Sequence, residues 1–166
     1  MEKIGIFYGT STGNTEYAAK LLAEKLGSVP VFDVANVAIN KLSDFDLLIF
    51  GSSTLGWGDL QDDWYDFIEE IKKVDLSGKK VAVFGLGDSA SYSETFCDAI
   101  GLIATVAKEA GASLIGDNVP VSEYEFDESV AVADGVFCGL PLDEDNEADK
   151  TEERIERWAN QLKESL

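Results

Sequence analysis

The chain has 166 residues, 45% hydrophobic and 27% charged, a balance that builds one globular core and excludes a disordered polymer. Its 13 Lys and Arg against 32 Asp and Glu leave a net charge of −19, a field that repels nucleic acid and favours partners with basic faces. With no His and only the two thiols of Cys97 and Cys138, a Ser-His-Asp triad, a Cys-His pair, an imidazole metal centre and a disulfide scaffold are all excluded.

Taken in chain order, apolar runs of strand length alternate with segments of helical period. Ile4 to Tyr8 reads as a buried strand, and Ala18, Leu21, Leu22 and Leu26 mark the stripe of the helix that follows. Strands are predicted at 29–34, 46–50 and 80–84, and helices over 61–73 and 94–110. Ser91 and Glu94 have the spacing of a capping box, which places Tyr92 in the first turn of the second of these helices. A fifth strand starts at Ser113-Leu114-Ile115-Gly116 and resumes over 135–140, interrupted by a turn-rich insertion at 117–135. Ile155, Trp158, Ala159 and Leu162 give a last helix. Runs without polar alternation suit parallel strands covered on both faces. The expected fold is therefore a three-layer α/β/α domain spanning 1–166, with helices on both faces of a parallel sheet and an insertion in the last strand. No stretch approaches the roughly 20 apolar residues of a membrane span. The expected setting is the cytoplasm, away from membranes.

In an open sheet of this class, ligands sit beyond the carboxyl ends of the strands, so the loops after strands one, three and four carry the functional reading. Gly9-Thr10-Ser11-Thr12-Gly13-Asn14-Thr15 runs straight into a helix. Four hydroxyls beside unpaired helix N–H groups make a phosphate cradle without a cation. A helix cap alone needs one hydroxyl. Asn14 stands where a nucleotide-hydrolase loop requires Lys, so phosphoryl transfer is not indicated. The loop starting at Gly51 carries Leu55 and Trp57, and the loop starting at Gly85 carries Tyr92. A cradle and two apolar or aromatic tips at one sheet edge fit a flat conjugated ring on a phosphorylated stem. Cys97 lacks a neighbouring base in the sequence, so it reads as a small residue rather than a catalytic thiol, and Cys138 reads as core. The acidic run from Asp143 to Asp149 reads as a solvated surface and helix N-terminus, without calcium-loop spacing.

These motifs resemble those of the flavodoxins, and of the long-chain type in particular. The Thr-x-Thr-Gly-x-Thr loop at 10–15 carries most of the resemblance. The Ser-Thr-Leu-Gly-Trp-Gly loop, the Gly-Leu-Gly-Asp loop with Tyr92 and the Leu142-Asp143-Glu144-Asp145-Asn146 segment support it. The resemblance implies strand order 2-1-3-4-5, bound FMN, and one-electron transfer by a monomeric carrier rather than an enzyme. It also implies redox partners with basic docking faces, such as a ferredoxin/flavodoxin reductase or a 2-oxoacid oxidoreductase. Carried over by position, Thr10, Ser11, Thr12, Gly13, Asn14 and Thr15 would hold the phosphate. Thr54, Gly56 and Asp145 would meet the ribityl chain. Tyr92 would stack on the outer ring face, and Gly87, Asp88, Thr95 and Cys97 would meet the pyrimidine edge. Leu55 and Trp57, in the loop that ends with Gly58, are both candidates for the inner face. The peptide joining Gly56 to Trp57 would flip with the redox state. A rival expectation, an FMN-dependent NAD(P)H or quinone reductase, needs a nicotinamide site, and Gly85-Leu86-Gly87 lacks the third Gly of that fingerprint.

Overall fold

The apolar N-terminal run forms strand β1 (Ile4–Gly9), and the hydroxyl-rich loop leads into helix α1 (Asn14–Lys25). The computed structural model describes residues 2–55 and 57–166, so the expectations placed on Gly56 lie outside the described residues. Next come β2 (Val31–Asp33), β3 (Leu47–Leu55), the short β4 (Asp59–Leu60) and α2 (Asp62–Ile71). They are followed by β5 (Lys80–Leu86), α3 (Asp98–Glu109) and β6 (Ser113–Leu114). The insertion contributes β7 (Val119–Pro120), β8 (Val132–Ala133) and β9 (Val136–Phe137). The chain then rejoins the sheet as β10 (Leu140–Leu142), followed by α4 (Glu144–Glu147) and α5 (Thr151–Glu164).

β1 pairs in parallel with β2 and β3, β3 with β5, and β5 with both β6 and β10. The order β2-β1-β3-β5-β10, with β6 beside β5 as well, is the 2-1-3-4-5 order of a doubly wound sheet when its main parallel strands are counted in chain order, the fifth strand lying in two pieces along one edge of β5. Helices cover both faces, α1 packing against α5 and α2 against α3. The apolar strand residues Ile6, Phe7, Leu47 to Phe50 and Val81 to Val83 have no solvent exposure, as expected for strands covered on both sides. The two large indoles of the core each donate to a backbone carbonyl: Trp64 Nε1 to Gly51 O at 2.8 Å, and Trp158 Nε1 to Gly116 O at 3.0 Å.

Several sequence expectations are corrected. The third strand runs on to Leu55, so most of the loop expected after Phe50 is strand. Its polar Ser52 is tolerated in the core because its hydroxyl donates to Ser53 O and accepts from Gln61 N–H. The expected capping box does not start a helix at Ser91. A 3-10 turn covers Ser93–Thr95, Cys97 takes a left-handed conformation (φ 52°), and α3 begins only at Asp98. The run at 135–140 does not simply resume the edge strand. Val136–Phe137 pairs antiparallel with β7 and β8 in a separate three-stranded sheet, and pairing with β5 returns at Leu140.

Candidate functional site

A cleft of about 490 Å³ opens beyond the carboxyl ends of β1, β3 and β5. One end is made by the loop into α1. Gly13 is the N-cap of α1 at φ 92°, where a Cβ would be strained, and it brings no capping side chain. Thr10 Oγ1 accepts from Gly13 N–H at 2.9 Å, and the first intrahelical bond is Tyr17 N–H to Gly13 O. The preceding N–H groups of the first turn are thus left for an outside acceptor. Ser11, Thr12 and Asn14 line the cleft, and Gln61 Nε2 donates to Ser11 Oγ at 3.2 Å, fixing the loop against the start of α2. Thr15 is buried under the loop.

The other end is flatter and more apolar. Leu55, Leu86 and Tyr92 line it together with Ser53, Thr54 and Gly87. A Cβ on Gly87 would come within 2.9 Å of Cys97 N, so this glycine lets the two backbones run side by side. Tyr92 is half-exposed, and its ring meets that of Trp57 edge to face, with centroids 6.3 Å apart at 85°. Trp57 is 80% exposed and stands at the lip, whereas Leu55 is inside. The neighbouring Gly58, at φ 95°, packs against Asp98. Thr95 lies in the turn behind Tyr92, its N–H donating to Tyr92 O at 3.2 Å and its hydroxyl buried without a partner. Burial pushes the Cys97 thiol well above its ordinary range, which leaves it without nucleophilic character.

Three carboxylates sit on the cleft wall, Asp88, Glu144 and Asp145, and among the described lining residues none is Lys or Arg. Burial pushes the Asp88 carboxyl up, but hydrogen bonds from Ser91, Asn146 and Ala90 outweigh it and hold the group below its ordinary range. Partial burial, and then the charges of Asp88, Asp143 and Glu144, hold the Asp145 carboxyl above its ordinary value. Asp143, expected on a solvated surface at a helix N-terminus, does stand at a helix N-terminus but has no exposure. It caps α4 and accepts from the Ser89 N–H and hydroxyl and from Asn146. Sequence reasoning did not single out Ser53, Leu86 and Glu144 as site residues. The first two follow once β3 and β5 are extended to their full lengths.

An open parallel sheet, an uncapped helix start with free hydroxyls, and a ring-sized apolar slot define a doubly wound α/β protein built for a phosphorylated planar ligand. Comparison with known proteins agrees. The flavodoxin family model matches residues 6–158. The chain is 45% identical over 165 residues to the flavodoxin of Buchnera aphidicola, covering 98% of this chain and 96% of that one. It is 42% identical over 166 residues to the flavodoxin of Synechocystis, covering 98% and 97%. Among solved structures, Fusobacterium nucleatum flavodoxin bound to flavin mononucleotide has a TM-score of 0.94 at 28% identity, covering 100% of this chain and 99% of that one. The chain belongs to the flavodoxin family.

Proposed function

We propose that this chain is an FMN-dependent one-electron carrier that serves redox enzymes and is not itself an enzyme. The observation that carries the reading is the cleft, with its uncapped hydroxyl-lined helix start at one end and its Leu55–Tyr92 slot at the other. The site fits the cofactor, because the orphan N–H groups of α1 suit an anion and the Leu55, Leu86 and Tyr92 lining of the cleft suits a flat ring. When bound, FMN supplies the redox chemistry. The chain's own residues hold, orient and shield it.

In this reading Ser11, Thr12 and Asn14 bind the phosphate, with Thr10, Gly13 and Thr15 shaping the loop. Thr54 and Asp145 face the ribityl chain. Tyr92 covers the outer ring face and Leu55 the inner one, while Trp57 forms the outer lip. Gly87 and Asp88 meet the pyrimidine edge. Three wall carboxylates without a facing cation oppose added negative charge on the ring, which favours a low potential. The exposed acids Asp59, Asp62 and Asp66 beside Trp57 and Tyr65 offer a docking face to a basic partner, such as a ferredoxin/flavodoxin reductase or a 2-oxoacid oxidoreductase. The chain acts as one domain and as a monomer.

The test is to purify the protein, release any bound chromophore and titrate the apoprotein with FMN. One FMN per chain, reducible in two separable one-electron steps and not by NADPH alone, is expected. A protein that binds no flavin, or that turns over NADPH by itself, overturns the reading.

A further inference from the structure

We propose that the first turn of α3 positions the cleft wall on either side of Trp57, and that the insertion holds Asp98 for this task. Only the consequence for ligand binding rests on the FMN reading. The geometry stands without it.

Thr54 lines the cleft, and its Oγ1 accepts from Ala99 N–H at 3.0 Å. The residue preceding α3, Cys97, provides no side-chain cap, so this helix is capped by a hydroxyl 45 positions earlier on another element. Beyond Trp57 the chain touches the same turn again. Gly58 lies so close to it that a Cβ there would come within 2.7 Å of Asp98 Oδ2. Asp98 is 7% exposed, unusual for a carboxylate in a first helical turn, which ordinarily points to water. Its other oxygen, Oδ1, accepts from Val130 N–H of the insertion at 2.8 Å.

The same stretch of the insertion also pins the opposite wall. Asp127 N–H donates to Ser93 O at 2.9 Å and to Ser93 Oγ at 2.7 Å, and Glu128 N–H donates to Ser93 O at 3.0 Å. Phe96 N–H answers by donating to Glu128 O at 3.2 Å. The chain that follows Tyr92 and the chain on both sides of Trp57 are therefore referred to one strap, 127–130, with Asp98 as the joint. A buried carboxylate costs stability unless it is engaged; here Oδ1 accepts from Val130 N–H, and Oδ2 packs against Gly58, whose missing Cβ leaves room for it. Asp98 is a positioning residue, acting through Gly58, Ala99 and Val130 rather than by touching the ligand.

The experiment compares Asp98→Ala and Asp98→Asn in the full chain. Amide exchange is followed in the apoprotein at 57–60, 127–132 and α5, and FMN and riboflavin are titrated in parallel. Asp98→Ala should speed exchange at 127–132 by about tenfold, the worth of the Val130 N–H bond to a charged acceptor, speed it at 57–60 as well through the lost packing against Gly58, and leave α5 protected. It should weaken FMN and riboflavin by the same factor, since the ring wall and not the phosphate loop is disturbed. Asn keeps an acceptor for Val130 N–H, so Asp98→Asn should stay within about twofold of the parent. The proposal is overturned if 57–60 stays protected in Asp98→Ala, if α5 loosens equally, or if Asn damages as much as Ala. If no flavin binds even the parent chain, the carrier reading fails, while the exchange data on the apoprotein still decide the role of Asp98.

Discussion

At single residues, the cleft separates a phosphate end built from neutral donors from a wall built from carboxylates, and the two ends respond to different probes. Thr12 lines the phosphate end and is exposed, so its hydroxyl is free to donate. Thr12→Val should weaken FMN by about 1.5–3 kcal/mol, the worth of a hydrogen bond to a charged group, and leave riboflavin unchanged. Fluorescence titration with both ligands checks this, and equal losses would remove Thr12 from the phosphate site. Asp145 behaves differently. Its carboxyl is held up by burial and then by Asp88, Asp143 and Glu144. A raised native pKa means that the folded chain binds more protons than the unfolded one between the ordinary and the raised value. Asp145 therefore works against folding above that window, and the penalty disappears as pH falls through it. Asp145→Asn should raise the Tm of the apoprotein at neutral pH by about 1–2 °C, given the small worth of partly exposed charge interactions. The gain should vanish near the ordinary Asp pKa of about 4. Calorimetry across that range tests it, and a gain that persists in acid would show that charge is not the cause.

At the level of elements, the insertion is held to the body of the fold by α5 through Arg154. This guanidinium is 7% exposed, lies 4.1 Å over the Tyr124 ring, and donates from Nη2 to Glu123 O and to Glu147 Oε1. Lys carries the charge but not the planar face that lies on Tyr124, and its ammonium cannot cover that ring while reaching the two acceptors that Nη2 bonds. Arg154→Lys should destabilise the protein by about 1–3 kcal/mol, the cost of leaving buried acceptors unmatched. Proteolysis should then begin within the insertion. A variant as resistant as the parent would mean that α5 does not secure it. The long buried strands and the amphipathic helices were legible in the sequence because periodicity reports burial directly. The end of β3 was not, because Ser52 and Ser53 look like a loop until their hydroxyl bonds are seen. Nor was the second half of the edge strand. Val136-Phe137 has strand character, but only the third dimension shows that it pairs with β7 and β8 rather than with β5. At the site, the cradle at 10–15 was readable from its hydroxyls. The burial of Asp143 within an acidic run and the joint at Asp98 depend on long-range contacts that leave no local pattern.

Across the whole molecule the dominant feature is the charge of −19, and it sets two salt effects against each other. Most ion pairs here are surface pairs, such as Lys20–Glu16 and Lys41–Asp44, each worth between nothing and about 1 kcal/mol. With 32 acids against 13 bases, most carboxylates have no cation to pair with, and repulsion among them is the larger sum. Salt that shortens the Debye length from about 30 Å at 0.01 M to about 10 Å at 0.1 M screens that repulsion more than it weakens the few pairs. The Tm of the apoprotein should therefore rise with salt, by roughly 2–4 °C for each kcal/mol of repulsion relieved. The same field draws a basic partner toward the acidic face around Trp57, and the same screening dissipates it, so association with a basic redox partner should slow over the same range. Replacing Asp59, Asp62 and Asp66 by Asn separates the two effects. These three exposed residues are a small part of the total charge, so the variant should keep most of the salt dependence of its Tm. It should lose much of the salt dependence of its association rate if they form the docking face. Thermal denaturation and stopped-flow mixing over one salt series read both. Equal retention of the two salt slopes would place the docking face elsewhere on the molecule.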